Sequence, residues 1–196
     1  MDAGDDDVDS LASQSVDEEK LRNSAKTVIE TCMQLRSHEN LLVITDPHTA
    51  EIGQALYEAG SQVSDRVLMV MMPSTHRHGQ EPPSPVADLM RRQHVVIAAT
   101  RYSLTHTRAR LISSKDGARI ATMPGVTRSM LIEGGMTADF DALQNHIASM
   151  ARILRKHRNV KIMNDDGDAM EFVISGRWNL EDNGICNRPG QVTNLP

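Results

Sequence analysis

The sequence predicts an α/β protein with three layers, in which helices flank a mainly parallel β-sheet. Short, continuous apolar segments recur along the chain, and segments whose apolar residues recur at helical spacing lie between them. Strands that alternate with helices need crossover connections, and such connections join parallel strands. The chain has 196 residues, 39% of them hydrophobic, which is enough to bury one sizeable core.

The first residues differ in composition from the rest. Residues 1–14 are rich in Asp and Ser and are predicted to form a flexible acidic tail, because ordering them would bury little apolar surface. Ser15 and Glu18 then form a capping box, which marks the start of a helix. Apolar residues at helical spacing continue this first predicted helix to about Leu35.

The first strand is predicted over residues 41–45, a continuous apolar segment typical of a strand covered on both faces. The Asp46-Pro47 pair after it favours an N-cap followed by proline in the first helical turn. A second helix is predicted over residues 52–59, and Gly60 is expected to end it.

The same alternation continues to about residue 123. The elements predicted there are strand 67–72, helix 86–92, strand 95–99, helix 105–116 closed by Gly117, and strand 120–123.

A longer amphipathic helix is predicted over residues 140–154. Segments 160–163 and 170–174, on either side of an Asp-Gly turn, predict a C-terminal hairpin. Residues 178–196 are polar and show no period, so the predicted domain covers residues 15–177.

Composition excludes several classes of function. Lys and Arg number 21 against 26 Asp and Glu, which gives a net charge of −5 and no basic footprint for nucleic acid. No apolar run is long enough for a membrane span, and the acidic N-terminus is unlike a signal peptide, so we expect a cytoplasmic protein with no membrane partner. Cys32 and Cys186 cannot form a disulfide framework and are read as free thiols.

The sequence motifs of nucleotide, transition-metal and calcium sites are absent or incomplete in this chain. The turn after the first strand lacks G-x-G-x-x-G, and the chain has no Walker lysine, which argues against a nucleotide site. His76 and His78 have no accompanying ligands, so a solvated loop is favoured over a metal site. Asp165, Asp166 and Asp168 lack the closing Glu of a calcium loop and are expected in an exposed turn.

The loop after the third strand is the strongest candidate site. It places Ser103, Thr105, His106 and Arg108 at the carboxyl end of a parallel strand, where open α/β sheets usually expose functional side chains. An equally simple interpretation is that Ser103 or Thr105 caps the next helix and that His106 lies on the surface of its first turn. Spacing alone leaves both interpretations open.

A resemblance to a known family extends over residues 25–196. Four segments, in the same order and at matching intervals, resemble landmarks of the thermophilic metallo-aminopeptidases of the aminopeptidase T and S type. These segments are Glu39–Asp46 (ENLLVITD), Ser103–Arg110 (SLTHTRAR), Gly117–Gly125 (GARIATMPG) and Pro189–Pro196 (PGQVTNLP).

The resemblance implies a two-domain exopeptidase that removes N-terminal residues from peptides with a pair of divalent metal ions of the Zn, Co or Mg type, often as a homodimer. Its metal ligands lie in the C-terminal domain, so no metal or cofactor ligand is expected in this chain. Residues 178–196 would lead into that missing domain. His106 is the one residue nominated for the shared cleft, as a substrate contact or a proton-transfer group.

Two alternatives remain. The same superfamily resemblance extends to ring-cleaving dihydroxypyridine dioxygenases, which are similar in fold and use a single iron. A chain of this kind is also compatible with a binding or assembly module that contributes only an interface.

Overall fold

The structure, a computed structural model, describes the backbone of residues 5–177 and 181–196, and the side chains from residue 14 onward within those ranges. The chain divides into two compact units, Met1–Ala138 with Gly184–Pro196, and Asp139–Asn183. We call them unit 1 and unit 2. This division differs from the predicted domain of residues 15–177, because the C-terminal residues return to unit 1.

The secondary structure follows the predicted alternation. In chain order the elements are α1 (Asp5–Lys26), a π-helical continuation (Thr27–Cys32), β1 (Leu41–Thr45), α2 (Ala50–Ser61), β2 (Val67–Met71), α3 (Ser84–Met90), β3 (Val95–Thr100), α4 (Arg108–Lys115), β4 (Arg119–Pro124), α5 (Arg128–Ile132), a 3-10 turn (Gly135–Thr137), α6 (Phe140–Leu154), β5 (Asn159–Met163), β6 (Ala169–Val173) and β7 (Val192–Asn194). Among the helices described, none is both long and apolar enough to cross a membrane.

Five parallel strands form the sheet, in the order β2-β1-β3-β4-β7. Leu42 and Ile44 of β1 belong to the cluster that includes side chains of α3 and α4. Their neighbours Leu41 and Thr45 face α2 on the other side. Because successive side chains of a strand point to opposite faces, helices cover both faces of the sheet. The predicted α/β fold with a mainly parallel sheet is confirmed.

The first helix starts earlier than predicted. The flexible tail was expected to reach residue 14, but the backbone is helical from Asp5. Two physical effects favour the longer helix: acidic residues at its start suit the helix dipole, and each added residue extends a helix that is already nucleated. The predicted tail's first four residues lie outside the described part of the chain, as do residues 178–180 of the predicted lead.

The C-terminal segment contains an element that the sequence did not predict. Val192–Asn194 forms β7, which pairs in parallel with β4 from Ile120 to Thr122. The N–H groups of Ile120 and Leu195 donate to carbonyls across this pair. Residues 184–196 are therefore part of the sheet unit, and that residues 178–196 lead into a further domain stays a prediction.

Two glycines allow α2 to lie close to β1. A Cβ atom on Gly53 would stand 2.8 Å from Cβ of Thr45, and one on Gly60 would stand 2.6 Å from Cδ2 of Leu41. Gly60 was predicted to end the helix, but α2 continues to Ser61. Its role is close packing, because a larger side chain there would have to displace the end of the Leu41 side chain.

A buried ion pair lies at the amino edge of the sheet, where β1 and β4 begin. The Arg119 guanidinium donates to both Glu39 carboxylate oxygens at 2.8 Å, and each side chain is only 6% exposed. Arg119 also donates to the carbonyl of Met33, and Glu39 accepts from the backbone N–H of Arg36. These hydrogen bonds fix the segment between the first helix and β1.

Unit 2 contains α6 and the hairpin of β5 and β6. Helix α6 spans Phe140–Leu154, as predicted, and Asp139 caps it by accepting from the backbone N–H of Ala142. The two strands of the hairpin are antiparallel. Gly167 adopts a φ of 90° in the turn, a conformation that favours glycine and explains the Asp-Gly signal.

Candidate functional site

The strand order identifies one crevice at the carboxyl edge of the sheet. From β1 the chain crosses to β2 on one side, whereas β3 and β4 lie on the other side of β1. Ligands of open α/β sheets bind at such a reversal, outside the carboxyl ends of the two central strands. The segments that follow β1 and β3 therefore form the candidate site.

Asp46 links these two segments. Its side chain is fully buried, with one carboxylate oxygen accepting from the backbone N–H of His48 at 2.9 Å and the other from the backbone N–H of Arg101 at 2.8 Å. The residue was predicted to cap α2, but the N-cap is Thr49, which donates to the carbonyl of Ala99 at 2.7 Å. Asp46 instead joins the loop after β1 to the loop after β3.

Four side chains from the loops after β1, β2 and β3 contact one another in succession. The Arg101 guanidinium lies 3.0 Å from Nε2 of His48 and 5.4 Å from the centre of the Tyr102 ring. The His78 ring meets Tyr102 edge to face, with 5.3 Å between centroids. We call His48, Arg101, Tyr102 and His78 the switch-point row. It combines two imidazoles, a guanidinium and a phenol at the edge where a ligand is expected.

The structure gives different surroundings to the two histidines of the loop after β2. Both are exposed, as a solvated loop requires. His78 accepts a hydrogen bond from the backbone N–H of Ser103 through Nδ1, at 3.1 Å. His76 uses its backbone N–H, which donates to the side chain of Gln80. His78 thus contacts the loop after β3, a connection that the solvated-loop interpretation of the sequence did not include.

A network of hydroxyl groups lies deeper at the same edge. The Ser103 hydroxyl donates to Thr105 at 2.7 Å, and the Thr105 and Thr122 hydroxyls are 2.8 Å apart. Both threonine hydroxyls also contact Oδ1 of Asn194, at 3.1 and 2.5 Å. This network connects the loop after β3 with β4 and β7.

The start of α4 is capped differently from the prediction. Neither Ser103 nor Thr105 caps the helix; Thr107 does, by accepting from the backbone N–H of Arg110. The Glu81 carboxylate accepts from the first helical N–H groups, those of Arg108 at 2.6 Å and Ala109 at 3.1 Å. An anionic side chain of the protein therefore already occupies the positive end of this helix.

His106 lies in the turn between β3 and α4, next to the hydroxyl network. Its side chain is exposed, and within the described residues it makes no hydrogen bond or ion pair. This position is compatible with contact to a substrate and also with a surface residue. Its role as a cleft residue stays a prediction. Arg108, which was placed in the same loop, begins α4.

The acidic, histidine and cysteine side chains of the described part of the chain do not cluster as metal ligands would. No group of three or more His, Cys, Asp or Glu side chains in that part is arranged to hold a metal ion. The acidic cluster of Asp165, Asp166 and Asp168 lies in the hairpin turn, where Asn164 donates to the Asp168 carboxylate.

Comparison with known proteins identifies two similar folds. No protein-family model matches the chain, and no curated protein matches its sequence. The structure of 2,5-dihydroxypyridine dioxygenase from Pseudomonas putida KT2440 is similar with a TM-score of 0.72 at 13% identity, over 90% of this chain and 53% of that one. Wild-type AmpT from Thermus thermophilus is similar with a TM-score of 0.50 at 10% identity, over 78% of this chain and 58% of that one.

These likenesses show the fold, and both neighbours belong to longer chains. The chain spans little more than half the length of each solved structure.

Proposed function

We propose that this chain is the N-terminal domain of a metal-dependent aminopeptidase, which hydrolyses N-terminal peptide bonds. The observation that carries the proposal is the position of the four segments that resemble the aminopeptidases. They contain or directly follow β1, β3, β4 and β7, which are adjacent in the sheet. Segments far apart in the chain are thus neighbours in the sheet, which supports their being landmarks of a common architecture.

The carboxyl edge of the sheet is the part of this domain that would contact the peptide. His106 is exposed there, and the switch-point row lies at the same edge. The hydrolytic centre would be supplied by another part of the complete enzyme, since the described residues contain no group of three or more His, Cys, Asp or Glu arranged to hold a metal ion. This chain would bind and orient the substrate.

An assay of the complete gene product tests the proposal. Aminoacyl reporter substrates are incubated with the purified protein in the presence of Co²⁺ or Zn²⁺, with the 196-residue chain as the matched control. We expect release of amino acid by the complete product alone, and the short chain should retain no zinc after dialysis. Release of no amino acid with any divalent metal would contradict the proposal.

A second candidate function is ring cleavage by an iron-dependent dioxygenase of the dihydroxypyridine type. The observation that favours it is the TM-score of 0.72 over 90% of this chain, against 0.50 over 78% for AmpT. The two functions are separated by assaying the same complete product with dihydroxypyridine, Fe²⁺ and oxygen. Ring cleavage without peptidase activity would favour the dioxygenase.

The nucleotide sequence after codon 196 gives an independent test. An in-frame continuation that encodes a Glu soon after, and several His and Asp later, would support either enzyme. A natural stop codon at that point would favour the binding or assembly module. The aminopeptidase resemblance further implies a cytoplasmic homodimer, which sedimentation of the complete product would check.

A further inference from the structure

Arg101 is a cation without an acidic partner at the centre of the candidate site. Among the described residues no carboxylate forms an ion pair with its guanidinium. The nearby Asp46 carboxylate is committed to backbone N–H groups, including that of Arg101 itself. Glu81, the acidic residue of the neighbouring loop, is committed to the start of α4. The positive charge of Arg101 is therefore left for a ligand.

The guanidinium is also held in place before any ligand binds. Its backbone is fixed by the buried Asp46, and its side chain lies between the His48 ring and the Tyr102 ring. A flexible arginine loses conformational entropy when it binds a ligand, and a prepositioned arginine loses less. This arrangement differs from that of an ordinary solvated surface arginine.

Hydrogen-bond roles in the row identify the ligand chemistry. Arginine only donates, so Nε2 of His48 must be the acceptor in their contact, and other guanidinium N–H groups remain available. Nδ1 of His78 accepts from the Ser103 N–H, so a neutral His78 carries its proton on Nε2 and adds a second donor. The free N–H groups of the Arg101 guanidinium match the paired oxygens of a carboxylate or a phosphate.

We propose that the switch-point row binds the carboxylate or phosphate group of a small anionic ligand, with Arg101 as its principal contact. The inference depends on the geometry of these four side chains, and it holds whichever reaction is proposed for the complete enzyme. The ligand chemistry is the same for both groups, so the experiment must distinguish them.

Titration of the isotope-labelled 196-residue protein tests the inference by NMR. Sodium phosphate and sodium acetate are added in separate titrations, each against sodium chloride at equal ionic strength. We expect saturable shifts of the Arg101 and Tyr102 amide signals and of the His48 ring signals. Saturation by phosphate alone or by acetate alone identifies the group that binds, and saturation by both supports the shared chemistry.

Variants show whether the row is responsible. Arg101→Gln should weaken anion binding about tenfold or more, because it removes a charge-assisted hydrogen bond. Tyr102→Leu should weaken it less, since it removes only one support of the guanidinium. Arg92→Gln is the matched control, because Arg92 is exposed, forms no ion pair among the described residues and lies before β3 at the opposite edge.

Three results would overturn the inference. One is binding to Arg101→Gln as tight as to the unaltered protein. Another is an equal loss of affinity in Arg92→Gln, which would show that only net charge matters. The third is a set of shifts that chloride reproduces or that never saturate. Folding of each variant is verified from its amide spectrum; should Arg101→Gln fail to fold, unchanged affinity in Tyr102→Leu would count against the inference.

Discussion

The buried carboxylate of Asp46 accepts a hydrogen bond from the backbone N–H of Arg101, a residue 55 positions later in the chain. This bond connects the loops that follow the two central strands of the sheet. It sets the position of Arg101 without using the guanidinium, which leaves the charged group exposed at the carboxyl edge. Stability and the geometry of the candidate site therefore depend on the same aspartate.

Replacement of Asp46 by alanine should destabilise unit 1. The N–H groups of His48 and Arg101 would lose their acceptor, at a cost of about 1–3 kcal/mol for each donor left buried. Urea unfolding followed by circular dichroism measures the change. Asp116→Ala is the control, because its exposed pair with Arg91 should contribute about 1 kcal/mol or less. Equal effects of the two replacements would contradict this prediction.

The Glu39–Arg119 pair should make stability depend on pH in the acid range. Folding lowers the pKa of the Glu39 carboxyl below its ordinary value of 4.5, chiefly because Arg119 hydrogen-bonds to it. The contribution is thus complete above the ordinary pKa and is lost as the pH falls through the lowered pKa of the folded state. Unfolding free energies at pH 6 and below pH 4 should therefore differ less in Glu39→Gln than in the unaltered protein.

Removal of one partner of this pair should be costly at neutral pH. Arg119→Met leaves the Glu39 carboxylate buried without its cation, which should cost about 3–5 kcal/mol.

Glu19→Gln serves as the control for the pH experiment on Glu39, because Glu19 is exposed and forms no ion pair within the described residues. An acid dependence that Glu39→Gln leaves intact would show that other carboxylates cause it.

The two glycines of α2 should differ in their tolerance of alanine. Gly53→Ala would press against Thr45, whose β-branched side chain is stiff, and we expect a loss of about 1–3 kcal/mol. Gly60→Ala meets only the end of the Leu41 side chain, which can rotate, and alanine regains roughly 1 kcal/mol of helix propensity. Thermal unfolding should rank Gly53→Ala below Gly60→Ala, and the reverse order would refute the packing argument.

The Asn194 side chain should stabilise the pairing of β7 with β4. Asn194→Ala leaves the Thr105 and Thr122 hydroxyls without a common acceptor, which should cost about 1–3 kcal/mol. Hydrogen exchange offers a local measurement, because the N–H groups of Ile120 and Leu195 donate across this pair. Both amides should exchange faster in the variant, while amides of β1 should change little.

His106→Ala tests the remaining prediction from the sequence. If His106 transfers a proton or contacts substrate in the complete enzyme, kcat/KM should fall by about 100-fold or more while stability is unchanged. His76→Ala is the control, since it removes an exposed imidazole from the neighbouring loop. Kinetics identical to those of the unaltered enzyme would show that His106 is only a surface residue.

Elements with a strong local signal were predicted well. The continuous apolar segments gave β1 and β3 to within one residue, and the amphipathic pattern gave Phe140–Leu154 without error. Strand β7 was missed because it has three residues, and its buried side chain, Thr193, is polar. Burial on both faces leaves an apolar signature only when the strand is long enough to show one.

The candidate site depends on information that local patterns do not contain. Asp46 and His48 looked like the start of a helix, because nothing in the first loop shows that the chain after β3 will lie beside it. Strand order decides that adjacency, and with it the pairing of His48 with Arg101. The loop after β3 could be singled out because it follows an apolar strand, but its partners could not be named.

The insertion of unit 2 between β4 and β7 has a consequence for synthesis of the protein. Ribosomes deliver the chain from its N-terminus, so the edge of β4 remains open until Val192–Asn194 emerge. An open edge is a template for pairing with another chain, and long-range parallel pairing forms slowly. Nascent chains that pause before residue 192 should therefore be most prone to aggregation and most dependent on chaperones.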